Sequence, residues 1–87
     1  MTNLMSQQFI KKNVKLNLEF DNYIARHPEL FESIPDGATI IMTLKGDNEF
    51  NDASFSIVRN SRSRRPVVEA QKEGSHWSVQ PLQLKAA

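Results

Sequence analysis

Five polar residues, Asp47, Asn48, Glu49, Asn51 and Asp52, crowd one short stretch of this chain. Their oxygens are the hard ligands a divalent cation takes, and the loop after a strand is where open α/β sheets hold ligands. The spacing is not that of a calcium loop, and no glycine-rich phosphate cradle accompanies it; acidic residues also cap helix N-termini. A second cluster is basic: Arg59, Arg62, Arg64 and Arg65, with Asn60, Ser61 and Ser63 among them. Arginine grips phosphate bidentately, so four could hold a nucleic-acid backbone in a salt-dependent way. No aromatic residue interleaves to stack on bases, and the same cations suit a helix C-terminus or a solubilised sheet edge. His27 and His76 are the only imidazoles. Neither has a histidine four residues away, and a metal site would need both to converge with a carboxylate. Ser54, Ser56, Ser61 and Ser63 lie in no nucleophile-elbow motif, and no nucleophile–base pair is visible. The sequence therefore assigns no catalytic residue, no metal ligands and no cofactor.

Size and charge narrow the classes further. The chain has 87 residues and a formal net charge of +1, which predicts one domain, 1–87, with an ordered core of about 6–82. A chain this short buries only about 60–65% of the surface its unfolded form exposes. It contains no cysteine, so added stability would come from self-association or a partner chain. A near-neutral balance gives no whole-surface field toward nucleic acid or an anionic membrane. Lys11, Lys12 and Lys15 interrupt any signal-peptide core, and no apolar run approaches the roughly 20 residues of a membrane span. A soluble cytoplasmic protein with no membrane partner is the expectation.

The elements that must position these residues follow from periodicity. Residues 6–27 carry a helical pattern, with Ser6 as a plausible cap. Phe9, Leu16, Phe20, Tyr23 and Ile24 share one face, and Ile10, Val14 and Leu18 widen it to an arc of about 220°. Lys11, Lys15, Glu19, Asn22 and Arg26 mark the wet side; Glu19 precedes Tyr23 rather than a lysine, so helical ion pairing adds little. Pro28 ends this helix and opens a short one over Glu29–Ser33. Pro35-Asp36-Gly37 is a turn. Thr39–Leu44 is apolar on both alternations, which predicts a strand near the sheet centre. The stretch from Asn51 to Arg62 fits a helix capped by Asn51 or Asp52, although its alternating serines also fit a strand. Pro66–Ala70 reads as a strand, Lys72–Ser75 as a hairpin turn, and the segment around Trp77 and Val79 as a last strand ending at Pro81, before a frayed tail. The fold class is thus α/β, a small α+β-like sandwich of order α-α-β-α-β-β, with a long N-terminal helix on a three-stranded mixed sheet.

The block His27-Pro28-Glu29-Leu30, then Ile34-Pro35-Asp36-Gly37-Ala38, an apolar strand, an acidic loop and Arg65-Pro66-Val67-Val68 resembles a small prokaryotic family of unknown function. The resemblance covers about residues 14–70. It implies a helix over Asn51–Arg62 and a parallel strand–helix–strand crossover, and it implies no activity.

The widened arc on the first helix carries the functional expectation. A three-stranded sheet covers about one face of one helix, so Ile10, Val14 and Leu18, with Phe9 and Leu16 beside them, are candidate interface residues. The alternative cover is Leu30 and Phe31 of the short helix. The chain is read as a non-enzymatic protein-binding module, a homodimer or a subunit of a small complex, antitoxin-like or regulatory. The alternative is nucleic-acid binding through Arg59, Arg62, Arg64 and Arg65. A third class is a ligand-binding or hydrolytic domain at the Gly46–Asp52 loop.

Overall fold

A computed structural model describes residues 7–60 and 65–82. Ser6, Ser61, Arg62, Ser63, Arg64 and the tail from Gln83 lie outside the described residues. The order is α1 (Gln7–Arg26), α2 (Pro28–Glu32), β1 (Thr39–Leu44), α3 (Asn48–Arg59), β2 (Val67–Glu73) and β3 (His76–Pro81). The fold is the expected small mixed α/β arrangement, with a long N-terminal helix on a three-stranded mixed sheet.

β1 pairs with β2 in parallel, from Thr39 opposite Val67 to Leu44 opposite Lys72. β2 pairs antiparallel with β3, Ala70 standing opposite Val79 and Lys72 opposite Trp77. Side chains alternate across such a sheet. One face therefore carries Ile40, Met42, Leu44, Ala70, Trp77 and Val79, which join Phe9, Leu16 and Phe20 of α1 in the principal core. Phe20 meets Trp77 with ring centroids 5.1 Å apart, and Phe9 meets Phe50 at 5.0 Å. The other face carries Ile41, Thr43 and Glu69, all buried. α3 packs along β1; its Phe50 and Ala53 join the principal core, and its Ser54 and Val58 are buried as well. Ser54 Oγ has no hydrogen-bond partner among the described residues, so this position contributes small size rather than a polar contact.

The strand order is β1-β2-β3. β1 is therefore an edge strand, not the central strand its two-sided hydrophobicity predicts. It is buried on both faces, Ile41 and Thr43 on one and Met42 on the other, and its outer border is met by a side chain. Asn51 Oδ1 accepts from Leu44 N–H at 2.8 Å, and Asn51 Nδ2 donates to Leu44 C=O at 2.9 Å. That double bond also explains where α3 starts. Asn51 is occupied by β1, so the cap is Asp47, whose carboxylate accepts from Phe50 N–H at 3.1 Å. The helix consequently begins at Asn48 and not at Asn51.

Two turns rest on glycine. Ala38 N–H donates to Pro35 C=O, and Gly37 takes the positive φ of 76° that a type II turn requires at its third position. β2 runs on to Glu73, so the hairpin loop is only Gly74-Ser75, with Gly74 at φ 63° in the first central position. α2 begins one residue earlier than the sequence suggests, with Pro28 in its first turn.

Candidate functional site

The rotation of α1 about its own axis decides which residues face outward. Its buried stripe is Phe9, Leu16 and Phe20. Two ion pairs to distant elements hold that orientation: Lys12 Nζ lies 2.5 Å from Asp47 Oδ2, and Lys72 Nζ pairs with Glu19 Oε1. The local reading of Glu19 misses the second pair, because its partner arrives from β2. Ile10, Val14 and Leu18 sit roughly 100–180° around the helix from the core stripe and remain 48%, 53% and 61% exposed. They form one row at i, i+4 and i+8. Phe9 and Leu16, grouped with them as interface residues in the sequence reading, are instead enclosed by the sheet and α3. α2 does not cover the row: Phe31 is itself 63% exposed.

The acidic stretch is engaged in building the fold. Asp47 caps α3 and pairs with Lys12; Asn51 closes β1. Lys12 also stands 5.6 Å over the Phe50 ring. The Lys12 ammonium, followed by the Phe50 N–H, holds the Asp47 carboxyl below the ordinary aspartate range. A depressed carboxyl contributes stability that is present above its unfolded pKa and lost as pH falls through the folded one. The urea midpoint should therefore drop as the solution is acidified below about pH 4. Asp47→Asn keeps a capping oxygen but not the charge, so its midpoint should fall less over the same interval. Identical acid slopes in both proteins would show that Asp47 ionisation is not coupled to folding. Among the described residues, no group of three or more His, Cys, Asp or Glu side chains is placed to hold a metal ion.

Of the basic cluster, Arg59 is exposed in the last turn of α3 and Arg65 is exposed just before β2. Arg62 and Arg64 lie outside the described residues.

The histidines, unconnected in the sequence, meet the same ring. Tyr23 stacks on His27 with centroids 4.1 Å apart and stands edge-on to His76 at 6.0 Å. Tyr23 Oη and His76 Nδ1 are 3.2 Å apart, and His27 Nδ1 lies 3.3 Å from Glu29 Oε1. Beside this cluster opens a cleft of about 530 Å³ between the C-terminal turns of α1 and the β2–β3 hairpin. Tyr23, Arg26 and His27 form one wall, and Lys72, Gly74 and Trp77 form the other. Sequence reasoning named both histidines but not this cleft, because Tyr23 and His76 are 53 positions apart. No local spacing announces a contact made by a returning hairpin.

A long amphipathic helix laid over a small three-stranded sheet, with one apolar row left outside and a ring-lined cleft at its end, defines a small mixed α/β domain. The chain belongs to a family described as Family of unknown function (DUF5647), whose model matches residues 8–80. No curated protein and no solved structure matches it. Among the described residues no helix is long and apolar enough to cross a membrane.

Proposed function

We propose that the chain is a non-catalytic protein-binding module that pairs with a second copy of itself through the outer face of α1. The observation that carries this reading is the row Ile10, Val14 and Leu18, exposed on the longest helix. Apolar side chains at i, i+4 and i+8 form the ridge that interdigitates with an identical ridge at a crossing near 50°. Such a crossing touches over only a few turns, which suits a row of three. Around a two-fold axis at Val14, Ile10 of each copy meets Leu18 of the other.

Charge selects the antiparallel sense. Lys11 is exposed toward the N-terminal end of the row, and Asp21 is exposed just beyond Leu18. Antiparallel helices bring Lys11 toward the other copy's Asp21; parallel ones bring lysine toward lysine. Three partly exposed side chains make a small interface, so the pairing belongs to the weak, transient end of the range.

Sedimentation velocity over a concentration series is the test. A monomer–dimer equilibrium in the micromolar range is expected. Leu18→Asp should leave only monomer while the far-ultraviolet circular dichroism is unchanged, since Leu18 is outside the core. Lys11→Asp should weaken the dimer, and adding Asp21→Lys should restore part of the loss. A wild-type chain that stays monomeric at about 1 mM, or a dimer indifferent to Leu18→Asp, would end this reading.

A further inference from the structure

We infer that the cleft between α1 and the β2–β3 hairpin binds a small organic anion carrying an aromatic ring, such as a nucleoside monophosphate. This goes beyond self-association, which uses a different face of α1. The volume of about 530 Å³ lies within the range of small-molecule sites. Its walls supply the two features such a ligand needs.

The first feature is a stacking surface. Tyr23 and His27 already lie face to face, 4.1 Å between centroids at an interplanar angle of 22°, and both are only half buried. A planar ring entering the cleft extends that stack by one member, in the offset geometry aromatic groups prefer. Tyr23 is held in place from its other side by the contact of its hydroxyl with His76, so little ordering remains to be done on binding.

The second feature is an unneutralised cation. Among the titratable groups lining the cleft, Glu19 and Lys72 satisfy one another. Arg26 is left, exposed on the last turn of α1, with no ion-pair partner among the described residues. Its guanidinium presents the planar fork that matches phosphate or carboxylate. A helix C-terminus disfavours an anion on its own. Here one end carbonyl, that of Ile24, accepts from His27 N–H, and Arg26 puts a positive charge on the same last turn. Asn22 and Ser75 add neutral hydrogen-bonding groups at the rim. Gly74 adds no side chain where the hairpin borders the cleft; a Cβ built there would meet nothing within 4 Å, so the space is open.

Trp77 lines the cleft and is the only tryptophan in the chain, so its fluorescence reports occupancy. The probe is adenosine monophosphate, titrated against the full chain, with adenosine and inorganic phosphate as separate arms. The expected result is a saturable change with Kd between about 0.1 and 1 mM, and at least about tenfold weaker binding of either fragment. Arg26→Ala should lower affinity for the nucleotide about tenfold and leave adenosine binding unchanged, because only the phosphate contact is removed. Tyr23→Leu should weaken adenosine and the nucleotide together, with folding checked by circular dichroism. Amide shifts in a nitrogen–proton correlation spectrum, mapped to Asn22–His27 and Lys72–Trp77, locate the site independently. The inference is overturned by no response to the nucleotide at about 5 mM, by full affinity in Arg26→Ala, or by shifts that fall elsewhere. Because Leu18→Asp blocks pairing without touching the cleft, nucleotide binding in that variant separates the two proposals.

Discussion

Phe20→Ala is expected to remove about 3–5 kcal/mol of folding stability. Phe20 is almost wholly enclosed. It joins α1 to the far side of the sheet through the Trp77 ring, at a tilt of 54°. Truncation removes the ring's transfer free energy and the aromatic pair, and leaves a void that α1 cannot close. The Lys12–Asp47 and Glu19–Lys72 pairs pin the helix in the turns before the gap. A domain of this size holds only about 5–15 kcal/mol in total, so the variant should be partly unfolded near physiological temperature. Urea unfolding followed by Trp77 fluorescence measures the change. A loss below about 1 kcal/mol would mean that α1 does not pack on the sheet through this residue.

Thr43→Val is expected to cost about 1.5–3 kcal/mol, a large effect for a nearly isosteric exchange. Thr43 is fully buried, and its hydroxyl donates to Glu69 Oε2 at 2.7 Å. Gln80 Nε2 donates to the other oxygen, Oε1, at 3.0 Å. A polar row thus crosses all three strands on the face opposite the principal core. Valine fills the space but withdraws one of the two donors from a buried carboxylate. Gln80 is exposed, so Gln80→Ala should cost less, because water can take its place. Replacing both inner partners, Thr43→Val with Glu69→Leu, should recover most of the loss, since apolar groups of similar shape leave nothing unpaired. Equal stability of wild type and Thr43→Val would show that the hydroxyl contributes nothing net. Chemical denaturation of wild type, Thr43→Val, Glu69→Leu and the double variant closes the cycle.

The strands and turns were legible in the sequence because their determinants are local. β-branched runs bounded by Pro35-Asp36-Gly37 and by Gly46 locate β1, and Gly74 locates the hairpin. The α1 core face follows from the spacing of Phe9, Leu16 and Phe20, and the exposed row from Ile10, Val14 and Leu18. What periodicity could not reveal was the meaning of two-sided burial. A strand buried on both faces has the same composition whether it lies at the centre or the edge of a sheet, so the edge position of β1 was hidden. The start of α3 was hidden for a related reason. Asp47, Asn51 and Asp52 are all good caps, and the choice among them was made by Leu44, whose backbone claims Asn51. Phe9 and Leu16 were drawn into the candidate interface because a wide apolar arc does not say where the sheet stops. The ring cluster was the least legible feature, since its members come from the end of α1, the junction before α2 and the start of β3.

The Asn51 carboxamide has a consequence for how molecules of this protein behave when crowded. A lateral strand normally offers its amides as a template on which another chain can crystallise into a growing ribbon. Here the amide and carbonyl of Leu44 are already spoken for by a side chain that copies the pattern of a missing neighbour. The border of the sheet is plugged at that point, and polymerisation through it would first have to eject Asn51.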